Sequence, residues 1–431
     1  MTKFGYKMTE IGEIPDNWEV SRLGSEKVSL YVKSGSTPRK RDQGNWNGDI
    51  PFVTQSDMTN VDHYLRETSE KITESGLKSS NLVLVPKNSI LLSMYGTIGK
   101  VVINKIPVTV SQNVAAIKLN IKNVNKEYLY YVIQQYSSQF KRQAKTITLS
   151  HLDNKIVKNA IVPFPSLPEQ QKIAEVLSTA DETIQKANEE ITLTEKHKKG
   201  LMQTLLTKGI GHTKFKMTEI EEIPEEWGTS ELRKVFKIIT GTTPSTKIKK
   251  YWIGGTFEWL TPKDLSQMND NLIISPSERK VTTNALNESN LNILPEGSIL
   301  ISTRAPVGYV GINRVQITFN QGCKGLVPLV CEGYSSFFYA YYLKYKKEFL
   351  NSVSSGSTFK ELSKERLERL VVPIPPWLEQ QKIAEILTAV DNKLELLGNK
   401  KAKLEKLKKG LMGDLLTGKI RVKLNTSKGE D

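Results

Sequence analysis

Two stretches of this chain place apolar residues at alternating steps of four and three. Between Pro168 and Thr207 the series runs Ile173, Leu177, Ala180, Ile184, Ala187, Ile191, Thr194, Lys198, Leu201, Leu205. Later it runs Ile383, Leu387, Val390, Leu394, Leu397, Lys401, Leu404, Lys408, Leu411, Leu415. This spacing predicts the narrow seam of a coiled coil, not the broader apolar face of a helix lying on its own domain. Ser166 suits an N-cap, Pro168 a first turn, and Gly209 and Gly418 suit the stops. Forty residues at 1.5 Å each make a rod of roughly 60 Å. So narrow a seam needs a partner, and because a folded segment separates the two helices, antiparallel pairing is expected, with a globular segment at each end. Lys198 and Lys408 interrupt both seams at equivalent positions, and Lys401 interrupts the second. The far ends are therefore expected to be wetter or to contact something else.

The rest mixes strand-length apolar runs with polar turns. Asn81–Val85, Ser89–Ser93, Lys100–Ile103 and Val114–Leu119 read as strands. Asn125–Lys141, with Tyr128, Leu129, Tyr131, Val132, Ile133, Tyr136 and Phe140, reads as one helix, with a counterpart over Ser335–Phe349. Its aromatic residues suit a core better than base stacking.

The chain repeats itself after about 210 residues. Tyr6-Lys-Met-Thr-Glu-Ile returns as Phe215-Lys-Met-Thr-Glu-Ile, and Ser89-Ile-Leu-Leu-Ser93 as Ser298-Ile-Leu-Ile-Ser302. Glu169-Gln-Gln-Lys-Ile-Ala174 returns as Glu379-Gln-Gln-Lys-Ile-Ala384, and Lys198-Lys-Gly-Leu-Met202 as Lys408-Lys-Gly-Leu-Met412. The helices are nearly identical, whereas residues 55–85 and 125–155 resemble 262–293 and 335–362 only in outline. Two copies share one task and differ in another.

At 431 residues and 38% hydrophobic content, more than one core is expected. No run approaches the roughly 18 apolar residues of a membrane span, and Met1–Tyr6 lacks a secretory pattern, so a soluble cytoplasmic protein is expected. A net charge of +15 favours an anionic partner, most simply nucleic acid, although lysine alone can keep a surface solvated. Cys323 and Cys331 read as unlinked thiols, not a disulfide or metal site. His63, His151, His197 and His212 lack metal-ligand spacing. Gly96-Thr-Ile-Gly-Lys100 has the residue types of a phosphate loop with the wrong spacing, and Val101 follows it. Ile374-Pro-Pro-Trp377 lacks the polar first residue of an amino-methyltransferase motif and reads as a helix lead-in. Asp57 and Asp264 occupy equivalent loops without forming a hydrolytic centre. The chain reads as a binder whose catalysis lies on partners.

Polar loops carry the candidate chemistry. Gly35-Ser-Thr-Pro-Arg-Lys-Arg41 matches Gly241-Thr-Thr-Pro-Ser-Thr-Lys247, Tyr95–Lys100 matches Arg304–Tyr309, and Ser111-Gln-Asn113 matches Asn320-Gln-Gly322. Glycine and proline shape such turns, while Arg, Lys, Gln and Asn can contact phosphates or base edges. The bland alternative is that these are solvated turns on a basic protein. The candidate DNA contacts are Arg39, Lys40, Arg41, Gln55, Tyr95, Lys100, Gln112 and Lys145 in the first copy, and Lys247, Lys263, Arg304, Gln321 and Lys360 in the second.

In combination, Gly241-Thr-Thr-Pro, Trp259-Leu-Thr-Pro-Lys-Asp264, Gly297-Ser-Ile-Leu-Ile-Ser-Thr-Arg-Ala-Pro306, Asn320-Gln-Gly322, Ser355–Lys360 and Val372-Pro-Ile-Pro-Pro376 before Glu379-Gln-Gln are distinctive. Over nearly its whole length the sequence resembles the DNA-specificity subunit of a type I restriction-modification system. The first half departs more, with Ser93-Met-Tyr-Gly-Thr97 facing Ser302-Thr-Arg-Ala-Pro306. The resemblance implies an α/β protein of two pseudo-symmetric target-recognition domains joined by a long antiparallel two-helix coiled coil. The expected boundaries are 1–165 and 212–375 for the domains, 166–211 and 376–420 for the spacer helices, and 421–431 for a tail. Each domain would read one half of a bipartite, asymmetric double-stranded DNA target. Gln170, Gln171, Ile173, Leu177, Ile184, Gln380, Gln381, Ile383, Leu387 and Leu394 would pair the helices and dock two methyltransferase subunits. Those subunits would methylate adenine with S-adenosylmethionine, and restriction-translocase subunits would use ATP and Mg; this chain would bind no cofactor and would not be an enzyme. The competing reading is a coiled-coil adaptor that binds DNA non-specifically.

Overall fold

The computed structural model describes residues 4–145, 151–268, 271–354 and 361–424, with the side chains of 143–145 outside that range. The chain divides into two compact units: residues 1–187 with 400–431, and residues 188–399. Each is a mixed α/β head with its share of two long helices, Leu167–Lys208 and Trp377–Leu415.

In the first unit a five-stranded sheet runs in the order Ser29–Ser34, Val114–Leu119, Ile90–Ser93, Val101–Asn104, Tyr64–Leu65. All its pairings are antiparallel except the last. Every residue of Ile90–Ser93 is buried because both faces are covered. Ile90 and Leu92 face the core built on the helix Lys126–Gln135, while Leu91 faces a second core with Val102, Val114 and Ala116. That two-sided burial explains a continuous apolar run where a half-exposed strand would alternate. A three-stranded sheet, Thr109–Val110, Trp46–Val53, Glu70–Ile72, lies beyond that second core. The second unit repeats the plan with Phe236–Thr240, Cys323–Pro328, Ile299–Ser302 and Val310–Ile312, and with the smaller sheet Lys280–Val281, Phe257–Leu260, Thr318–Phe319. Its fifth strand is reduced to an isolated bridge between Ile273 and Ile312.

Within each unit the beginning of one long helix packs antiparallel on the end of the other. In the first, Asp181 meets Lys408; in the second, Glu190 meets Lys393 and Asp391 meets Lys198. Ile173, Leu177, Ala187, Leu205, Ile383, Leu387, Leu397 and Leu415 are buried at the expected four-three spacing, while Ile184 and Leu394 are half-buried. Buried polar clasps tie each helix start to its head. Gln170 Nε2 donates to the carbonyls of Asn123 (3.1 Å) and Pro165 (3.0 Å), and its Oε1 accepts from Asn125 N at 2.9 Å. Gln380 makes the same three bonds with Gly333, Pro375 and Ser335. Glu169 Oε2 accepts the Trp18 indole at 3.0 Å, and its two carboxylate oxygens together accept a two-pronged Arg421 contact. Its counterpart Glu379 accepts from Trp227 (2.9 Å), from Ile210 N (2.8 Å) and from His212. Gly209 and Gly418, both at positive φ, end the helices where a Cβ would strike Glu379 or Pro15.

Three expectations need correction. Asn81–Val85 is not a strand: Val83 and Leu84 are exposed, Asn81 takes a positive φ, and only Val85 forms a bridge, to Val108. Asn125–Lys141 is two helices, Lys126–Gln135 and Ser137–Lys145, because Tyr136 has ψ 0°. That break brings Ser137 against Gly99 and returns Phe140 to the core, and Lys346 separates Ser336–Tyr345 from Lys347–Ser352 in the same way. Lys198 and Lys408 do not make the helix ends wet. Both are largely buried and paired with aspartate, whereas Lys401 lies 3.9 Å from Glu405 on its own helix. The helix aromatics Tyr128, Tyr130, Tyr131, Tyr339 and Tyr341 are all core residues. Among the described residues, no helix is long and apolar enough to cross a membrane.

Candidate nucleic-acid interface

Sheet register gathers the polar loops. In the first head Ser34 lies opposite Ala115, Val114 opposite Ser93, and Leu92 opposite Val101. Loops 35–37, 94–100 and 111–113 therefore leave the same end of the sheet. Backbone bonds lock them together: Met94 N to Asn113 O at 2.8 Å, and Ser111 N to Val53 O at 3.0 Å, which brings in Gln55. In the second head Thr240 faces Lys324, and Ser302 faces Cys323. Thr303 N bonds Gly322 O at 2.7 Å, and Asn320 N bonds Leu260 O at 2.9 Å. Loops 241–243, 303–309 and 320–322 thus converge beside the helix Pro262–Ser266. Gly35 and Gly241 are required at this crossing, since a Cβ there would lie 1.5 Å from Val110 O or 2.1 Å from Asn320 O.

On this framework the heads share one device. Thr37 Oγ1 donates to Gln112 Oε1, and Thr243 Oγ1 donates to Gln321 Oε1. Each exposed glutamine is thus oriented through its Oε1, whose second lone pair and the Nε2 group together have the acceptor and donor that an adenine edge needs. Gln55 Nε2 donates to Thr97 Oγ1 at 3.3 Å beneath Gly96, and Tyr95 is half exposed next to it. Lys100 closes that loop through its backbone.

The cations sit around these loops. Lys40 lies 2.6 Å from Glu70 and 5.2 Å from the centre of the Trp46 ring, whose indole donates to Arg39 O. Arg39 and Arg41 are exposed, with Asp42 3.9 Å from Arg41. Lys263 pairs with Glu278 (2.6 Å) and Arg304 with Glu361 (3.0 Å). Lys247 is exposed in the turn that the Trp252 indole closes on Ser245 O. A phosphate oxygen could replace each glutamate partner. The Lys145 side chain and all of Lys360 lie outside the described residues. Gln171 and Gln381 are exposed on the helices, whereas Gln170 and Gln380 spend their amides inside the heads.

Sequence reasoning missed Thr37, Thr243, Arg279 and Lys324. Arg279 stacks 3.7 Å over Trp252 and 5.2 Å from Trp259. Lys324 is buried and donates to Gln321 O at 3.1 Å, and burial lowers its pKa. It sits in a strand where the first head has Ala115, so nothing in its local pattern marks it.

Asp57 and Asp264 are structural. Each caps a short helix by accepting from the N–H and hydroxyl of Thr54 or Thr261, and each takes a further backbone N–H, from Ser69 or Glu278. Burial raises the Asp57 pKa, but the bonds from Ser69 and Thr54 outweigh it and hold the carboxyl below its usual range. A depressed folded pKa means that Asp57 stabilises the fold fully above the ordinary carboxylate range and that this is lost as pH falls through the folded value. Asp57→Asn is therefore expected to cost about 1 kcal/mol at neutral pH and progressively less on acidification. Chemical denaturation of both proteins across that range checks it; a pH-independent difference would contradict it.

Burial pushes the Cys323 thiol up, Cys331 is exposed, and both are free. Among the described residues, no group of three or more His, Cys, Asp or Glu side chains could hold a metal ion.

A family model described as the type I restriction modification DNA specificity domain matches residues 15–195 and again 224–406. A putative type I restriction enzyme MjaX specificity subunit from Methanocaldococcus jannaschii is 33% identical over 432 aligned residues, covering 97% of both chains. The EcoR124I/EcoR124II specificity subunit of Escherichia coli is 25% identical over 284 residues, 62% of this chain and 63% of its own. The crystal structure of a type I restriction-modification S subunit from M. genitalium superposes with a TM-score of 0.57 at 17% identity, covering 96% of this chain and 99% of the other. At that identity the likeness concerns the fold.

Proposed function

Because this chain belongs to the family of DNA-specificity subunits of type I restriction-modification systems, we propose that its two heads each read one half of a bipartite, asymmetric DNA target. The observation that carries this is the paired but unequal loop ends. Both heads present an oriented glutamine, Gln112 or Gln321, on the same framework. Around it the first head has Gln55, Tyr95 and the Arg39–Arg41 cluster, and the second has Arg304, Lys263 and Arg279. Equal frameworks with unequal side chains suit two different half-sites.

The chain reads DNA and places partners; methyl transfer and cleavage belong to other subunits. Two methyltransferase subunits would dock on the helix pair with S-adenosylmethionine and modify adenine N6. Restriction-translocase subunits would add ATP- and Mg-dependent translocation. Gln171 and Gln381, exposed near the two helix starts, are candidate docking residues.

The test is competition binding by the complex of this chain with its methyltransferase at fixed salt, using duplexes in which either half of the selected target is scrambled. Scrambling either half is expected to weaken binding at least roughly a hundredfold, within the usual gap between specific and non-specific DNA. Equal affinity for all duplexes would favour a non-specific coiled-coil adaptor, the reading that the +15 charge alone also permits.

A further inference from the structure

In the first unit Tyr131 Oη donates to Asp181 Oδ2 at 2.7 Å, while Lys408 Nζ lies 2.6 Å from Asp181 Oδ1. In the second, Tyr341 Oη donates to Asp391 Oδ2 at 2.7 Å, while Lys198 Nζ lies 2.6 Å from Asp391 Oδ1. A hydroxyl on the helix supports each tyrosine, Ser178 at 3.3 Å and Thr388 at 3.4 Å. Each triad joins three elements: the aromatic helix of the head, the long helix that follows that head, and the antiparallel helix crossing it. The lysines occupy positions of a mostly apolar seam, and the Lys198 and Asp391 side chains are only 8% and 14% exposed. Burying such a pair is no more stabilising than a well-packed apolar contact. A polar group at a seam position does favour one register over its neighbours.

We propose that the two Tyr–Asp–Lys triads are positioning residues that fix the register of each head on its stretch of helix pair, and so set how strictly the complex discriminates spacer length. This rests on the bipartite reading above. One carboxylate can accept from the head's phenol and from the crossing lysine only when all three elements are in register, because a helical step of one residue turns a side chain by about 100°. An all-apolar contact would tolerate neighbouring registers. Among the described residues, the triads' bonds run between helices and involve none of the loops 35–37, 94–100, 111–113, 241–243, 303–309 and 320–322, so half-site choice is separate from them.

The experiment measures methylation by the complex on duplexes carrying both half-sites with the natural spacer, or one base pair more or less. The variants are Tyr131→Phe with Tyr341→Phe, and Lys198→Met with Asp391→Leu. Preference for the natural spacer is expected to fall about tenfold in both, the scale of one buried hydrogen bond to a charged group. Discrimination against a scrambled half-site should be unchanged, and the Tm of the Lys198→Met/Asp391→Leu protein should be no lower. An unchanged spacer preference would overturn the proposal, as would joint loss of spacer and half-site discrimination with a lower Tm, or failure of the apolar variant to fold. If the unsubstituted complex showed no bipartite preference at all, the underlying reading would fail instead.

Discussion

Trp18→Ala is expected to destabilise the first unit by about 3–5 kcal/mol. Trp18 is only 1% exposed and sits in the main core with Ile14, Leu177 and Leu415. Its indole also holds Glu169 Oε2 at 3.0 Å, and that carboxylate takes Arg421 Nε at 2.7 Å. Removing the ring therefore opens a cavity and loosens the hold on the final segment, where Tyr6 Oη donates to Gly418 O at 2.9 Å. Trp227→Ala should act similarly on the second unit, where Glu379 loses its indole donor but keeps Ile210 N and His212. Urea denaturation of the full chain checks both: each variant should lower one transition midpoint with little change in slope. A shift below about 1 kcal/mol would contradict the latch.

The second large effect concerns reading. Gln321→Ala and Arg304→Ala should each relax preference at one or two positions of a single half-site, by about 1–3 kcal/mol per lost bidentate contact. The other half-site should be unaffected. Gln321 is oriented by Thr243, and Arg304 is held by Glu361, a partner that a DNA contact would have to replace. Binding profiles of the partner-loaded complex at fixed salt distinguish the roles. Uniform weakening with a smaller salt slope would assign either residue to phosphate contact.

Much of this architecture was legible because helix pairing writes itself into spacing. The four-three series named Ile173, Leu177, Ile383 and Leu387, and all four are buried. The strand run Ile90–Ser93 was legible because both its faces are covered. Asn81–Val85 has the same apolar look, but its backbone finds one bridging partner and the side chains of Val83 and Leu84 stay in water. The break at Tyr136 was not legible, since that residue is as good a helix former as its neighbours; packing of Ser137 on Gly99 accompanies it. Lys198 and Lys408 read as flaws because their aspartates lie on the other helix. The polar loops that the sheets gather at one end were legible, since Gly-x-Thr-Pro and Asn-Gln-Gly mark turns. The sequence could not show which side chains meet: the Thr37–Gln112 and Thr243–Gln321 contacts follow from strand register, and Lys324 is hidden inside a strand.

The most direct test of two unlike reading heads is sequencing of methylated bases in DNA exposed to this chain reconstituted with its methyltransferase. The predicted result is one motif of two different half-sites separated by a fixed unread spacer, with a methylated adenine in each half. A continuous or palindromic motif, or methylation without sequence preference, would contradict it.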